Sequence, residues 1–353
     1  MRHLSVLLLG WLFWTGALAE PTRGLPPLSI PADNPQSADK IALGKRLFND
    51  PRLSADGSIA CANCHVSGKA FTDGRVAARG IKGQIGTRNA PSILNAAYYQ
   101  TLFLDGRAAS LEEQVLGPLF NPIEHGLANS QALIEVIRSD AEYTRLFKTA
   151  FTLTADAVTA GHVAQAIAAY ERTLIAGDSP FDRFLFGRDR AALSPSAARG
   201  LRIFQRKGNC MVCHEISWDH ALFTDNRFYN LGVGSQILKP VLSKFLKAKK
   251  PDRYPLTDAQ RSELGLFNVT KDPADIGKFK TPILRNVALT GPYMHDGSLK
   301  TLEEVIDFYD QGGQRNRFLD KKIFPLHLTT GEKADLVTFL QVLTSHTLDF
   351  EKP

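Results

Sequence analysis

Apolar residues recur along most of this chain at the three- and four-residue spacing of amphipathic helices. Ala42–Phe48 and Ala198–Phe204 fit short helices of this kind, Asp156–Ala176 fits an alanine-rich helix, and Thr330–Thr344 fits a longer one. The side chains expected on the buried face of the last helix are Leu336, Phe339, Leu340 and Leu343. Alternating patterns typical of strands are weak throughout, so we expect a mainly α fold.

Two of the helix starts carry a more specific signal. Ser110–Glu113 and Thr301–Glu304 each place a hydroxyl residue three positions before a glutamate, which is the spacing of a capping box. In such a box the two side chains satisfy backbone amides that the first helical turn leaves unpaired. We therefore expect helices to begin at these two points.

A degenerate repeat divides the chain into two parts. Ala42–Phe48 leads to Cys-Ala-Asn-Cys-His at 61–65, and Ala198–Phe204 leads to Cys-Met-Val-Cys-His at 210–214, with Gly, Arg and Phe in the same order in both helical segments. The two motifs lie about one domain length apart. The repeat predicts two related domains, residues 20–185 and 186–353, which meet in a turn-rich stretch between Gly177 and Pro195.

Composition and charge exclude some classes of protein. With 44% hydrophobic and 22% charged residues the chain is of ordinary globular composition. The formal net charge is +6, but the Lys and Arg residues form no stripe interleaved with aromatic residues, so we expect no nucleic-acid partner. The segment Lys239–Pro255 holds six Lys or Arg residues and three prolines, which favours a solvated surface insertion over a docking site.

The first residues have the pattern of an export signal. Arg2 and His3 precede the apolar run Leu4–Ala17, and Ala17–Ala19 supplies the small residues of a cleavage site. The alternative is an uncleaved membrane anchor, but the run is short for a membrane span. We expect residues 1–19 to be removed, the protein to be periplasmic, and the mature chain to lack a membrane span.

The four cysteines all fall in the two Cys-x-x-Cys-His motifs, which are typical of covalent attachment of a c-type haem. Two thiols at this spacing can form thioethers to the porphyrin, and the adjacent histidine then lies under the ring, where it ligates the iron. A zinc site or a redox dithiol would leave the two histidines unexplained. We expect two c-type haems. Their attachment residues are Cys61, Cys64, Cys210 and Cys213, and their proximal ligands are His65 and His214.

Conventional sixth ligands are scarce in this chain. Outside residues 1–19 the methionines are Met211, which lies inside a haem motif and cannot reach across the ring, and Met294. The histidines outside the motifs are His125, His162, His220, His295, His327 and His346. Such histidines are more often packed or exposed than ligating. This scarcity favours at least one open, reactive iron.

Further motifs follow one another in a specific order between about residue 35 and residue 345. They are Leu47–Ser54, Phe71–Gly74, Arg88–Pro91, Asp105–Arg107, Leu111–Gln114, Asn121–Glu124, Leu284–Asn286 and Gly291–Gly297. With the two haem motifs, this order resembles that of the bacterial di-haem cytochrome c peroxidase and MauG superfamily.

The resemblance implies two cytochrome c-like haem domains with the haems near the domain interface. It further implies a peroxidatic N-terminal haem that reacts with hydrogen peroxide, a C-terminal haem that relays electrons, and one calcium ion between the domains. The implied partner is a small electron-donor protein, either a cytochrome c or a cupredoxin, or else a protein substrate. Members are often homodimers.

The resemblance also implies roles for individual residues. Glu124 corresponds to the acid/base glutamate above the N-terminal haem, where a carboxylate can take a proton from one peroxide oxygen and return it to the other. Gln114 and Pro118 correspond to other residues of that pocket. The side chain of Asn89 and the backbone carbonyls of Thr290 and Pro292 would hold calcium.

Two departures from the family pattern concern haem ligation. The loop 79–88 lacks the histidine that caps the peroxidatic iron in many members, and Ile81 takes its place, so we expect the N-terminal haem to be open. Tyr309 stands where many members have an axial Met, as in MauG-like enzymes, so we expect its phenol oxygen to ligate the second iron. The alternative is that Tyr309 is a packed aromatic and Met294 ligates.

A third departure concerns tryptophan. Leu104 stands where the family has a Trp between the haems, and Gly208 stands where MauG has a surface Trp. The remaining routes between the haems are Tyr98, Tyr99, Phe103 or direct tunnelling. We therefore expect a peroxidase fed by a small redox protein, and keep as alternatives a MauG-like oxidase that modifies a partner and a non-enzymatic electron carrier.

Overall fold

Residues 22–345 are described by a computed structural model, and they are mainly helical, as the apolar pattern predicts. The export signal expected at residues 1–19 and His346 lie outside the described residues. The α-helices, α1 to α14 in chain order, are Ala38–Phe48, Cys61–Cys64, Leu111–Phe120, Ser130–Arg138, Ala141–Phe151, Ala160–Glu171, Pro180–Leu185, Pro195–Gln205, Ser235–Leu238, Leu242–Lys247, Asp258–Ser262, Phe267–Thr270, Leu302–Asp310 and Thr330–Gln341. Two short strands, β1 (Phe228–Tyr229) and β2 (Phe279–Lys280), pair antiparallel.

The predicted helix starts at α3 and α13 are confirmed, with one refinement. The Ser110 hydroxyl accepts from Glu113 N and the Thr301 hydroxyl accepts from Glu304 N, each at 3.2 Å. The Glu113 carboxylate, however, accepts from Ala109 N and the Glu304 carboxylate accepts from Lys300 N, in each case one residue before the cap. The alanine-rich helix is shorter than expected: α6 begins after its cap Thr159 and ends at Glu171. The four side chains predicted on the buried face near α14 are all buried.

Each half of the chain forms its own hydrophobic core around a crossed pair of helices. In the first half α1 packs against α6, and in the second α8 packs against α14. A Cβ on Gly44 would lie 1.9 Å from the carbonyl oxygen of Ala166, and one on Gly200 would lie 2.0 Å from that of Asp335. Glycine is therefore required where each pair crosses. The first core includes Leu43, Leu47, Phe48, Val163 and Ile167. The second includes Leu201, Phe204, Leu336, Phe339 and Leu340.

Two expectations about connecting segments need correction. The stretch between Gly177 and Pro195 is not only turn, because Ser179 caps the short helix α7, whose Phe181 is fully buried in the second core. The insertion Lys239–Pro255 is not only solvated chain, because Phe245 of α10 is 1% exposed and packs on Phe267 of α12. Apolar residues spaced for a single helical turn are too few to reveal such short helices in the sequence.

The two halves meet along a polar seam. Lys280 of β2 donates its backbone N–H to Leu104 O at 2.8 Å, and the N-terminal segment 22–26 bridges the halves because Gly24 O accepts from Ala221 N. Arg285 and Asp182 form a fully buried ion pair at 2.7 Å near this bridge. Within residues 22–345 no helix is both long and apolar enough to cross a membrane.

Candidate di-haem site

The two Cys-x-x-Cys-His motifs form equivalent tight turns after the two core helices. His65 N donates to Cys61 O and His214 N donates to Cys210 O, both at 2.9 Å. The four cysteines form no disulfide. Burial raises the pKa of Cys64 to about 11 and that of Cys210 to about 12. A redox dithiol uses a thiolate of lowered pKa, so this burial does not favour that chemistry.

Both motif histidines are oriented by a hydrogen bond to a carbonyl further along the chain. His65 Nδ1 lies 3.1 Å from Phe71 O, and His214 Nδ1 lies 2.8 Å from Phe223 O. Phe71 and Phe223 both have positive φ angles, 57° and 56°, a conformation that β-carbon sterics disfavour. Burial lowers the pKa of both histidines. Each imidazole is thus neutral with Nδ1 engaged, which leaves Nε2 free to ligate a metal.

One cavity of about 940 Å³ joins the two motifs across the seam between the halves. It is lined by all the candidate haem-attachment, iron-ligating, acid/base and calcium residues: Cys61, Cys64, His65, Asn89, Gln114, Pro118, Glu124, Cys210, Cys213, His214, Thr290, Pro292, Met294 and Tyr309. Paired thiols, oriented imidazoles and a buried volume are what covalently bound haems require. The residues present therefore fit two c-type haems.

The wall above the first motif is built by α3 and the turn after it. Gln114 and Pro118 lie on α3, and Glu124 N donates to Asn121 O at 3.1 Å to close the turn. The Asn121 amide donates to Glu124 Oε1 at 2.8 Å, which fixes the carboxyl. Burial raises the pKa of Glu124. This side chain can hold a proton at a fixed point inside the cavity.

The loop that lacks a histidine is held against this turn. Ile81 N donates to Glu124 O at 2.9 Å, and the Ile81 side chain is 6% exposed. A Cβ on Gly126 would lie 2.3 Å from Ile81 Cδ1, so the isoleucine packs on Gly126. Ile81 is not among the residues that line the cavity. The loop thus closes over the turn and offers the cavity no ligand from position 81.

The internal repeat extends further than the sequence analysis recognised. The loop Leu102–Ala108 before α3 and the loop Tyr293–Leu299 before α13 contain matching antiparallel bridges. Both loops contain Asp-Gly, and both lead to Leu-Glu-Glu at the helix start. In this register Pro118 corresponds to Tyr309. Proline offers no donor atom, whereas tyrosine offers a phenol oxygen.

Tyr309 faces the second motif. Its side chain lines the cavity, and burial, with the nearby Cys210 and Cys213, raises its pKa. Its hydroxyl makes no hydrogen bond within residues 22–345. Met294 lines the same cavity, and its backbone is fixed in a positive-φ conformation, with its carbonyl accepting from Asn89 Nδ2.

Most of the other histidines have structural partners. His125 Nδ1 bonds to Leu53 O at 2.8 Å, His162 caps α6, His220 pairs with Asp219, and His295 Nε2 bonds to Glu263 Oε2 at 2.8 Å. These histidines are therefore engaged in packing the fold. No group of three or more His, Cys, Asp or Glu side chains within residues 22–345 is arranged to hold a metal ion.

Comparison with known proteins identifies the family. The family described as "Di-haem cytochrome c peroxidase" matches residues 38–190. The chain is 41% identical over 338 residues to the cytochrome-c peroxidase IdrP1 of Denitromonas iodatirespirans, covering 92% of this chain and 86% of that protein. The protein belongs to the di-haem cytochrome c peroxidase family.

Other members of the family agree with this assignment. The methylamine utilization protein MauG of Methylorubrum extorquens is 37% identical over 313 residues, covering 89% of this chain and 80% of that protein. The crystal structure of a MauG-like protein associated with microbial copper homeostasis matches with a TM-score of 0.75 at 35% identity, covering 96% of this chain and 97% of that chain. The chain is therefore an oxidoreductase of the peroxidase type with two c-type haems and two cytochrome c-like halves.

Sequence reasoning missed one buried carboxyl in the cavity of this di-haem peroxidase. Glu171, at the end of α6, is 5% exposed and lines the cavity, and no partner for its Oε2 is present within residues 22–345. Burial raises its pKa to about 8. The crossings at Gly44 and Gly200 align α6 with α14 and make Glu171 equivalent to Leu340. The sequence signal that could have revealed this carboxyl is a glutamate, Glu171, at a helix position where the other half has the apolar Leu340.

Tyr99 lies in the space between the two halves. Tyr99 lines the cavity, and its hydroxyl accepts from Ile283 N at 2.8 Å. The Lys280 ammonium lies 3.6 Å from the centre of the Tyr99 ring. Burial lowers the pKa of Lys280 to about 7. Of the candidate route residues Tyr98, Tyr99 and Phe103, Tyr99 thus contacts the second half directly, through Ile283 and Lys280.

Proposed function

We propose that this protein reduces hydrogen peroxide at the His65 side of the cavity, using electrons that enter at the His214 side. The haems, when bound, supply the iron chemistry of O–O cleavage and electron relay. The observation that carries the proposal is the asymmetry between equivalent positions: Pro118 over the first motif offers no ligand, whereas Tyr309 over the second offers an oxygen. Hydrogen peroxide needs a haem side that carries no protein ligand, whereas a haem that only relays electrons does not.

The residues that line the cavity beside the first motif have distinct roles in this proposal. His65 Nε2 would ligate the iron, with Nδ1 donating to Phe71 O to hold the ring. Glu124 takes a proton from one oxygen of the peroxide and returns it to the other oxygen, which leaves. Asn121 keeps the carboxyl in place, and Gln114 supplies an amide to bound peroxide or water.

On the side of the second motif, His214 and Tyr309 would hold the haem iron. A phenol oxygen is a hard donor that favours ferric over ferrous iron. The test is to add peroxide to the fully ferric protein and record visible, near-infrared and EPR spectra. A change at both haems without prior reduction supports an open first haem and a Tyr309 ligand. A response that requires prior half-reduction contradicts both assignments, and inertness in every redox state contradicts peroxidase activity.

Replacing Glu124 tests its role in proton transfer. We expect Glu124→Gln to lower the rate of peroxide reaction by about 10²–10⁴-fold, because the amide cannot accept the proton. Stopped-flow spectroscopy measures the rate, and the pyridine haemochrome spectrum checks that both haems remain. The exposed carboxyl of Glu135 provides the control variant Glu135→Gln. An unchanged rate in Glu124→Gln would remove Glu124 from the mechanism.

Tyr309 also supports a second candidate, a MauG-like oxidase that uses peroxide to modify a partner protein. The surroundings of Tyr99 favour the peroxidase instead. The Lys280 amine over the ring, when protonated, opposes removal of an electron from Tyr99, and Leu104 offers no oxidisable ring in place of the family Trp. Long-range oxidation of a protein substrate through the seam is therefore the less favoured reaction.

The proposal includes a calcium ion at the seam. Asn89 Nδ2 lies 3.1 Å from the carbonyl oxygens of Pro292 and Met294, which supports a site where the amide turns its oxygen toward an ion shared with Pro292 and Thr290. Calcium titration of chelator-treated holoprotein, followed by its melting temperature, tests this. We expect a rise in wild type that Asn89→Ala abolishes.

Location, domain limits and assembly complete the proposal. Residues 1–19 would be removed on export to the periplasm, which N-terminal sequencing of protein from a periplasmic fraction tests. Domains 20–185 and 186–353 are supported by the two separate cores, although Phe181 packs in the second. A homodimer and a small electron donor are proposed by analogy with the family.

A further inference from the structure

Nearly all of the net charge of this protein is concentrated in one short segment. Lys239–Pro255 contains six cationic residues and a single acid, Asp252, whereas the whole chain has a formal net charge of +6. The cations form what we call the lysine patch, which consists of Lys239, Lys244, Lys247, Lys249, Lys250 and Arg253. All six are exposed. Their only ion pair in the described residues joins Arg253 to Asp252 at 4.0 Å.

The patch is held on a small core of its own and is therefore not a loose tether. On α10, Leu242, Phe245 and Leu246 face inward, and Phe245 lies 5.3 Å from Phe267 and 5.9 Å from Tyr254, centre to centre. Lys244 and Lys247, three positions apart, lie on the opposite, exposed face. The packing thus fixes the lysines outward in a defined arrangement.

Both ends of the segment join the wall of the haem cavity. Leu231 and Val233, just before α9, line the cavity, as does Tyr229 beside the second motif. On the other side Asp258 and Arg261 of α11 line it and are exposed to solvent. The segment that carries the patch is therefore flanked in the chain, before α9 and at α11, by residues that line the cavity.

We propose that the lysine patch is the docking surface for a small acidic electron-donor protein. The inference rests on the proposed function, which requires electrons to enter at the His214 side. Uncompensated like charges beside a cavity raise the encounter rate of an oppositely charged partner and do little for a neutral one. Such steering weakens as salt shortens the Debye length, to about 8 Å at 0.15 M ionic strength.

The experiment compares two charge-reversal variants of the holoprotein. The patch variant carries Lys244→Glu, Lys247→Glu and Lys250→Glu. The control carries Arg145→Glu, Lys148→Glu and Arg190→Glu, three exposed cations outside the segment. The donors are an acidic mono-haem cytochrome c, a basic mono-haem cytochrome c and hydroquinone, a neutral small reductant. Peroxide-dependent oxidation of each donor is measured over a range of ionic strength.

We expect the patch variant to lose about 10- to 100-fold in kcat/KM with the acidic cytochrome at low salt, and to lose most of its salt dependence. Hydroquinone turnover should be unchanged, and the control variant should resemble wild type. An equal loss in both variants, or an equal loss with hydroquinone, would overturn the proposal. So would patch-dependent binding to anionic phospholipid vesicles with unaltered donor kinetics.

Two further readouts keep the outcomes separate. If the triple variant does not fold, Lys244→Gln and Lys247→Gln singly should each reduce the salt dependence, and no reduction in either contradicts docking. If wild type turns over none of the three donors and shows no spectral response to peroxide, the proposed function itself fails. Turnover with hydroquinone but indifference of the acidic cytochrome to the patch overturns docking alone.

Discussion

At the residue scale, equivalent positions in the two halves carry opposite chemistry. Pro118 and Tyr309 occupy matching places on α3 and α13, and Glu171 and Leu340 occupy matching places on α6 and α14. At these two positions the first half therefore has a proline and a carboxyl, whereas the second half has a phenol and an apolar side chain. A repeat that conserves the histidine turn has diverged at the side chains above it.

Tyr309 is expected to determine the spectrum of the second haem. In Tyr309→Phe the oxygen donor is lost, so we expect the EPR signal of the C-terminal haem to change while that of the N-terminal haem stays the same. Tyr293→Phe is the matched control, because Tyr293 lines the same cavity and its hydroxyl instead donates to Val287 O at 3.1 Å. If Met294→Leu changes the signal and Tyr309→Phe does not, Met294 is the ligand.

Glu171 is expected to make stability depend on pH. Burial raises its pKa to about 8, against about 4.3 for an unfolded glutamate, so the folded state holds the proton more tightly. Stability should fall as pH rises between these values and then level off. Arg172 opposes the shift and Glu112 adds to it.

Glu171→Gln removes this titration. We expect its melting temperature to exceed that of wild type by a margin that grows from about pH 5 to about pH 8. Calorimetry of the holoproteins measures this margin, with Glu135→Gln as the exposed control. A margin that is constant across this range would contradict a buried neutral Glu171.

At the element scale, two crossed helix pairs carry the fold and bring the haem turns to the cavity. The contact is close because glycine stands at each crossing, so the partner helix (α6 for α1, α14 for α8) can approach to backbone distance. Helices α3 and α13 then pack on α6 and α14 and supply the walls above the two motifs. The close contact within each helix pair therefore sets how deep in the protein the two histidine-containing turns lie.

Adding a methyl group at a crossing should destabilise the protein. In Gly200→Ala the new Cβ would lie 2.0 Å from Asp335 O, so the helices must separate, and we expect a loss of about 1–3 kcal/mol. Gly331→Ala, on α14 with nothing within 4 Å of the new Cβ, is the control and should be neutral or slightly stabilising. Guanidinium unfolding measures both. Equal stability of the two variants would show that the crossing tolerates a side chain.

At the scale of the whole molecule, the function depends on how the halves are joined. The buried pair Arg285–Asp182, the bridge from Gly24 and the contact of Lys280 with Leu104 and Tyr99 all lie along the seam. Each joins residues far apart in sequence, so the seam is specified only once both halves have folded.

Breaking the buried pair should cost more than breaking an exposed one. Arg285→Met leaves Asp182 buried without its cation, and we expect a loss of about 3–5 kcal/mol. Arg199→Met is the matched control: the Arg199 side chain is 51% exposed in its pair with Asp335, so we expect a loss of about 1 kcal/mol or less. Similar losses would mean that solvent reaches Arg285.

The sequence by itself determined the helical class, the haem attachment sites and the family. These depend on local spacing: apolar residues three and four apart, and two thiols next to a histidine. Residues of the site that match family motifs, such as Glu124 and Tyr309, could be named in the same way, and they all line one cavity.

Only the tertiary structure decided what those residues face and which others join them. The carboxyl of Glu171, the ring of Tyr99 under Lys280 and the small core that fixes the lysine patch depend on contacts between distant segments, which no local pattern encodes. Helices of one turn, such as α7 and α10, were missed for the same reason. Short helices are stabilised by packing rather than by their own sequence.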